Sequence, residues 1–375
     1  MLKKTGIALL AAAGIALSAK GAGAPYRVRE EIRVEAVMRD GVSLVADIFR
    51  PEAEGQFPVL LERTPYNRKG GTGEGRTLAA HGYVVVIQDT RGRYGSGGDF
   101  YPFLNEINDG YDTVEWAARL PASNGQVGMF GGSYVGATQM LASISRPPHL
   151  VAVFPYVTAS EYYDGWTYQS GALMQWFNQS WTSGLARDTL RRKVMARPKD
   201  WIWTLPVEDY PLLEWPRAAE LAPYLQDWLA HETEDAYWKR WKISDHYAEL
   251  NLKALHAGGW HDIFLKGTLT NYMGLRSSAQ TPEARQSQRL MIGPWAHAQT
   301  SPEGKVGGVV FGEEAVLDMT EAIAEWSDWA LKGISNAYAS QPPVRLFIMG
   351  ENRWRYEEAF PIERRKLTRY YLHAA

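Results

Sequence analysis

The segment 125–143, GQVGMFGGSYVGATQMLAS, constrains the fold of this chain more than any other stretch. Its apolar run up to Phe130 predicts a strand, the pair Gly131-Gly132 predicts a tight turn, and the residues after Ser133 predict a helix. A strand that passes directly into a helix is typical of α/β proteins with a largely parallel sheet. The segment therefore predicts an α/β fold with Ser133 at a strand-to-helix turn.

The flanking sequence repeats this alternation of strands and helices. Short continuous apolar runs at 57–66, 82–92, 150–157, 253–264 and 288–298 predict strands buried on both faces of a sheet. Helices are predicted in the stretches GEGRTLAAHG, NDGYDTVEWAARLP and EAVLDMTEAIAEWSDWALKG, and a hairpin turn at Asp40-Gly41. Together these patterns predict a mostly parallel sheet with helices on both faces.

Residues 161–251 break this alternation and predict an inserted helical domain. Helix-like segments separated by prolines carry nine of the fifteen tryptophans of the chain. They are Trp166, Trp176, Trp181, Trp201, Trp203, Trp215, Trp228, Trp238 and Trp241. We expect most of them to fill the core of the insertion. The alternative is that the group, at the mouth of the sheet, lines a substrate pocket.

The N-terminus has the order of a secretory signal peptide. Two lysines precede an apolar stretch, Gly6–Ala19, which is shorter than the roughly 20 residues of a membrane-spanning helix, and small residues follow it. We expect residues 1–24 to be removed, export to the periplasm or medium, and no stable membrane insertion afterwards. An uncleaved membrane anchor is the alternative.

Composition excludes several other classes of function. A formal net charge of −2 provides no general attraction to nucleic acid. The chain has no cysteine, so thiol catalysis, disulfides and cysteine metal sites are excluded. The glycine-rich stretch DTRGRYGSGG lacks both the P-loop and the dinucleotide-binding spacing. We therefore predict no cofactor and no metal, and take this stretch as a structural loop in which Asp89 pairs with Arg91.

Ser133 has the sequence context of a nucleophile elbow, in which close backbone packing requires glycine on both sides of the serine. A serine nucleophile needs a histidine base oriented by a carboxylate, and these follow it in the chain order Ser, Asp, His in α/β-hydrolases. Asp262 and His297 follow later predicted strands in that order, and His261 is the alternative base. The N–H of Tyr134 is the expected first oxyanion donor. Tyr66 follows an earlier strand and is either the second donor or a turn residue.

Several motifs together resemble the CocE/NonD family of serine hydrolases. They are RTPYNR, DTRGRYGSGG, GMFGGSYVGATQ, GGWHDIFLKGTLTNY, IGPWAHA and PPVRLFIMGENRWR, and they occur in the family's order over nearly all of the chain after the leader. The family includes cocaine esterase, α-amino-acid ester hydrolases, glutaryl-cephalosporin acylases and X-prolyl dipeptidyl peptidases.

The resemblance implies an α/β-hydrolase fold with an inserted helical cap domain and a C-terminal β jelly-roll domain. The implied division is a hydrolase domain at 25–160 and 252–335, a cap at 161–251, and the truncated start of the jelly roll at 336–375. The resemblance further implies Ser133 as nucleophile, Asp262 as acid, His297 as base, and Tyr66 with the Tyr134 N–H as oxyanion donors.

The leading functional hypothesis is a hydrolase that acts on a small-molecule ester or amide, or on a short peptide. An X-prolyl dipeptidyl peptidase-like enzyme, or an acylase for β-lactams or α-amino-acid esters, is the second hypothesis. For the latter, Glu161 and Asp164 would hold a substrate ammonium, with Trp166 in the substrate pocket. A truncated, non-catalytic binding protein is the third. The sequence leaves assembly into a homo-oligomer open.

Overall fold

The computed structural model describes residues 25–192, 205–206, 218–297 and 304–372. The predicted signal peptide lies outside these residues, as do Trp201, Trp203 and Trp215. The strands are β1 Val28–Val37, β2 Ser43–Pro51, β3 Phe57–Thr64, β4 Val84–Asp89, β5 Ser123–Gly132, β6 Leu150–Tyr156, β7 Tyr168–Gln169, β8 Ala172–Leu173, β9 Lys253–Gly259, β10 Gln288–Gly293, β11 Lys305–Val306, β12 Val309–Val310, β13 Val344–Ile348 and β14 Arg353–Glu357.

The described helices are α1 Thr72–Ala80, α2 Glu106–Ala118, α3 Tyr134–Ile144, α4 Gln175–Leu190, α5 Ala218–Leu221, α6 Pro223–Ala230, α7 Ala236–Lys239, α8 Leu265–Ser278, α9 Pro282–Gln286, α10 Met319–Ala330 and α11 Ala337–Ser340.

One ten-stranded sheet organises the described residues, in the order β1-β2-β4-β3-β5-β6-β9-β10-β13-β14. The strands from β4 to β13 in this order run parallel, whereas β1, β2 and β14 pair antiparallel with their neighbours. Helices α2, α3 and α8 pack on one face, and α1 and α10 on the other. The prediction of an α/β fold with a mostly parallel sheet is confirmed.

Local sequence explains where these elements begin and end. All six residues of β4 are buried, as expected for a strand covered on both faces. Asp318 caps α10 by accepting a hydrogen bond from the N–H of Glu321 at 3.1 Å, and Gly333 ends the following turn at φ 69°. Gly41, at φ 83°, forms the predicted turn between β1 and β2.

The inserted segment between β6 and β9 contributes no strand to the central sheet in its described part. That part, 161–192, 205–206 and 218–251, contains α4 to α7 and the short hairpin of β7 and β8. Several of its aromatic side chains, among them Trp166, Trp228 and Trp241, are buried in the core cluster that also contains residues of α2 and α3, whereas Trp176 is exposed. Whether this segment is a separate cap domain stays a prediction.

The C-terminal segment differs from the sequence prediction. β13 pairs parallel with β10, and β14 pairs with β13, so residues 344–357 extend the central sheet and do not start a separate one. Val344 and Phe347 are both fully buried. Their side chains point to opposite faces of the sheet and belong to two different apolar clusters. Strand β13 is therefore covered on both faces, as expected for a parallel strand within the central sheet. The predicted boundary at residue 336 therefore falls before the last parallel strand of this sheet.

His256 lies inside the sheet, as its position in an apolar run predicted. Its side chain, on β9, is 1% exposed, and its Nε2 lies 3.1 Å from Oε1 of Gln288 on β10. Burial lowers the pKa of His256 to about 4. The native state therefore holds this imidazole neutral in mildly acidic solution.

This burial predicts a loss of stability as the pH falls. Between the unfolded pKa of roughly 6.5 and the native value, only the unfolded chain binds the proton, so the unfolding free energy falls by about 3 kcal/mol across that window. We expect His256→Gln to flatten this part of the pH profile in urea denaturation at pH 7 and pH 4.5. His81→Gln, at the surface, is the control. An unchanged slope in His256→Gln would contradict the prediction.

Candidate active site

Ser133 occupies the turn between β5 and α3, with φ 58° and ψ −125°. A positive φ is uncommon for a residue with a side chain, and such strain concentrates at functional turns. A Cβ on Gly131 would overlap the side chain of Val135. One on Gly132 would overlap the ring of Tyr156. Glycine at both positions therefore permits the turn that presents the Ser133 side chain at the carboxyl edge of the sheet.

The structure brings Ser133, Asp262 and His297 together from three strand ends. Nε2 of His297 lies 3.0 Å from Oγ of Ser133, and Nδ1 of His297 lies 2.9 Å from Oδ1 of Asp262. These residues follow β5, β9 and β10, which are parallel, so their carboxyl ends meet at one edge. The arrangement is a continuous hydrogen-bonded chain from a carboxylate through an imidazole to a hydroxyl.

The side chains in this hydrogen-bonded chain differ sharply in their exposure to solvent. The Asp262 side chain is fully buried, while the His297 side chain is 36% exposed and faces the cleft. Phe264 packs edge-on against the imidazole, with ring centroids 5.1 Å apart. A buried carboxylate and an aromatic wall fix the orientation of the imidazole, while its other nitrogen faces Ser133. His261, the alternative base, instead packs near Phe311.

Tyr66 lies across the cleft from His297, in the turn that follows β3. Its Oη accepts a hydrogen bond from Nε1 of Trp181 at 3.0 Å. Although 41% of the residue is exposed, the protein around the phenol raises the pKa of Tyr66. Hydrogen bonding to Trp181, to Ser133 and to the backbone of Tyr134 opposes that rise. The phenol therefore stays protonated and lies beside both the serine and the first amide of α3.

The Tyr134 side chain anchors the first turn of α3 from below. Its hydroxyl donates to Glu106 at 3.0 Å and accepts from the N–H of Phe103 at 2.9 Å. Glu106 pairs with Arg63 at 2.6 Å in a fully buried contact. Burial raises the pKa of Glu106, and the Arg63 charge opposes this rise. This buried network fixes the first turn of α3, whose first N–H groups have no partner within the helix.

A cleft of about 420 Å³ opens above Ser133. Its described lining consists of Tyr66, Ser133, Phe177, Ser180, Trp181 and His297. Three of these residues belong to α4 in the inserted segment, which therefore forms one wall of the cleft. Sequence reasoning named Trp181 only within the tryptophan group and missed Phe177 and Ser180, because nothing in the local pattern shows which helix face meets the cleft.

The residues predicted for the substrate pocket lie elsewhere. Trp166 is fully buried and stacks on Phe264 at 4.6 Å, behind the cleft wall. A lysine lies near each predicted carboxylate, and Lys242 is shared with Glu234 at 2.6 Å. Glu161 lies 3.6 Å from Lys242 and accepts from Ser244, and Asp164 pairs with Lys266. None of the three lines the described cleft.

The prediction of an ion pair between Asp89 and Arg91 is wrong. Asp89 pairs with Arg68 at 2.6 Å in a buried contact. Arg91 pairs instead with Asp109 at 2.6 Å and with Asp40 at 2.8 Å. Asp89 ends β4 and points into the protein, so its partner comes from the neighbouring turn after β3.

In the described part of the chain, no group of three or more His, Asp or Glu side chains is arranged to hold a metal ion. None of the helices described has the length and apolar character needed to cross a membrane.

Comparisons with known proteins agree with this fold. The chain is 31% identical over 369 residues to cocaine esterase of Rhodococcus sp. (strain MB1 Bresler), covering 92% of this chain and 62% of that protein. A solved aminopeptidase from the marine sediment archaeon Thaumarchaeota archaeon matches with a TM-score of 0.69 at 26% identity, covering 90% of this chain and 60% of that one.

A CocE/NonD family hydrolase from Staphylococcus aureus shares the fold, with a TM-score of 0.66 at 22% identity, covering 89% of this chain and 57% of that one. The chain thus has the α/β fold that these proteins share. More particularly, the chain belongs to the X-Pro dipeptidyl-peptidase (S15) family, whose model matches residues 40–299. It spans about 62% of the length of the curated relatives it matches.

Proposed function

We propose that this protein is a serine hydrolase that cleaves carboxylic ester or amide bonds through an acyl-enzyme on Ser133. The observation that carries the proposal is the hydrogen-bonded chain from Asp262 through His297 to Ser133 at a strained turn beneath an open cleft. A serine hydroxyl is a weak nucleophile, and an imidazole within hydrogen-bond distance is the base it needs.

The geometry supports a two-step reaction. His297 takes the hydroxyl proton as Oγ of Ser133 attacks the substrate carbonyl carbon, and Asp262 stabilises the imidazolium. The Tyr66 hydroxyl and the Tyr134 N–H donate to the oxyanion. Collapse of the tetrahedral intermediate expels the alcohol or amine, which receives the proton from His297. Water then attacks the acyl-enzyme with His297 again as base, which releases the acid and restores Ser133.

The described cleft favours a neutral acyl group over one with an α-ammonium group. Its lining is aromatic and hydroxylic and contains no carboxylate among the described residues. Glu161 and Asp164, the candidates for holding an ammonium group, are paired with Lys242 and Lys266. An unpaired ammonium would lose hydration in such a cleft without a compensating ion pair. The similarity to a protein named cocaine esterase agrees with ester substrates.

Covalent labelling tests the proposal directly. A fluorophosphonate should modify the purified chain at Ser133, and p-nitrophenyl butyrate should give a burst of p-nitrophenol equal to the enzyme concentration. A folded protein that binds the ester without labelling or burst would support the alternative of a non-catalytic binding protein. Comparing an α-amino ester with its desamino analogue separates the substrate classes, and we expect higher kcat/KM for the desamino ester.

We also propose that the protein is exported, on the basis of its N-terminal leader sequence alone.

Tyr66→Phe tests the proposed oxyanion donor. We expect kcat to fall by about 10²- to 10³-fold, because removing one donor removes stabilisation present mainly in the transition state. KM for p-nitrophenyl butyrate should change little. Tyr163→Phe is the matched control, since its hydroxyl donates to the carbonyl of Glu232 at 3.0 Å in the inserted segment. A Tyr66→Phe enzyme with more than half the original kcat would exclude the assignment.

A further inference from the structure

The glycine-rich loop after β4 and helix α4 make a set of contacts that the proposed reaction does not use. The loop carries DTRGRYGSGG, and α4 carries Trp181. Both approach Tyr66, the loop from behind its backbone and the helix at its hydroxyl. These contacts determine how the phenol is held.

The indole of Trp181 controls the direction of the Tyr66 hydroxyl. An indole N–H is a donor only, so in the 3.0 Å contact with Tyr66 the phenol oxygen must be the acceptor. The phenol proton must then point away from the indole, and Tyr66 lines the same cleft as Ser133. The indole is itself held by stacking on Tyr134 at 5.7 Å and on Trp228 at 6.1 Å.

Arg93 fixes the spacing between the Tyr66 turn and α4. It is 1% exposed, and its Nε donates to the carbonyl of Pro65 at 3.0 Å while its Nη1 donates to the carbonyl of Leu185 at 2.9 Å. One rigid guanidinium therefore joins the residue before Tyr66 to the turn of α4 that follows Trp181. The same charge opposes the burial that raises the pKa of Tyr66.

Two further hydrogen bonds attach the end of α4, and the residues just after it, to this loop. Asp188 accepts from the N–H of Tyr94 at 2.9 Å, and Arg192 donates to the carbonyl of Ser96 at 2.6 Å. Asp188 also lies 3.7 Å from Arg93, which balances part of its buried charge. The loop thus connects the turn after β3 to α4 and holds the helix in place.

We infer that Trp181 is a positioning residue for the oxyanion donor: its indole N–H occupies the Tyr66 oxygen and so leaves the phenol proton free to point into the cleft above Ser133. Arg93 and its loop hold α4 at the distance this contact requires. The inference rests on the proposed function, since it acts through Tyr66. It assigns to the inserted segment a part in the chemical step as well as in forming the cleft wall.

A double-mutant cycle tests this inference. Trp181→Phe keeps an aromatic ring in the cleft but removes the N–H together with part of the ring volume. The lost hydrogen bond should lower kcat for p-nitrophenyl butyrate about tenfold, the upper range for one such bond. In the Tyr66→Phe background the same change should have no further effect on kcat, because no phenol oxygen remains to be directed. Any loss of packing should appear as a change in KM in both backgrounds.

Trp238→Phe is the matched control. It removes an indole N–H that donates to the carbonyl of His231 at 2.8 Å in the same inserted segment, and it should leave kcat unchanged. Equal kcat losses for Trp181→Phe with and without the Tyr66 hydroxyl, or no loss at all, would overturn the inference while the proposed reaction stands. If Ser133 is not labelled in the unmodified protein, the proposed function itself has failed.

Discussion

We expect Ser133→Ala to lower kcat for p-nitrophenyl butyrate by about 10⁴- to 10⁶-fold. Alanine removes the oxygen that would carry the acyl group, and His297, whose Nε2 lies 3.0 Å from that oxygen, then has no nucleophile to activate. The residual rate should come from the oxyanion donors and from substrate binding alone. Fluorophosphonate labelling and the burst should disappear together, which steady-state and stopped-flow assays on the same preparation can measure.

Ser180→Ala is the matched control for this change, because Ser180 lines the same cleft but donates to the carbonyl of Phe177 at 3.1 Å and has no imidazole partner. We expect its kcat to stay within a few-fold of the original value. Substantial turnover in Ser133→Ala would show that Ser133 is not the nucleophile. A burst that persists in Ser133→Ala and vanishes in Ser180→Ala would show the same.

Local sequence rules were sufficient for the elements that surround Ser133. Close packing at Gly131 and Gly132 is a local requirement of the turn, so the sequence itself records it. The same holds for β4, whose continuous apolar run matches its burial on both faces, and for His256, whose place within such a run implied burial. Chain order and position after a predicted strand together favoured Asp262 and His297, the two residues that the structure brings to Ser133, and left His261 as the alternative base.

Long-range pairing was less accessible. Asp89 and Arg91 are two positions apart and were expected to pair, yet Asp89 faces Arg68 across the neighbouring turn. The segment from residue 336 was expected to start a separate β domain, yet its strands β13 and β14 join the central sheet. Partners set by tertiary packing leave little trace in a local pattern.

The cleft wall shows the same limit. A tryptophan-rich helix has the same composition whether its rings fill a core or face a substrate, and here Trp166 does the first while Trp181 does the second. Glu161 and Asp164 had the right chemistry for binding an ammonium group, but their lysine partners come from distant segments. Substrate preference therefore depends on contacts that only the folded structure displays.

We expect Asp262→Asn to lower kcat by about 10⁴-fold. The carboxylate accepts from Nδ1 of His297 at 2.9 Å, which leaves the other ring nitrogen free to take the Ser133 proton. An amide that presents its NH₂ to Nδ1 favours the opposite tautomer, whose Nε2 carries a proton and cannot act as base. It also removes the negative charge that stabilises the imidazolium. Since the two side chains are nearly isosteric, thermal melting should change little.

Glu115→Gln separates this effect from the general loss of a carboxylate beside a histidine. Glu115 lies 2.9 Å from Nδ1 of His149 in a pair outside the cleft, so its replacement should leave kcat unchanged. Raising the pH should not rescue Asp262→Asn, because the wrong tautomer persists in the neutral imidazole. A loss smaller than tenfold, or recovery at pH 9, would show that Asp262 contributes charge alone and that another group orients His297.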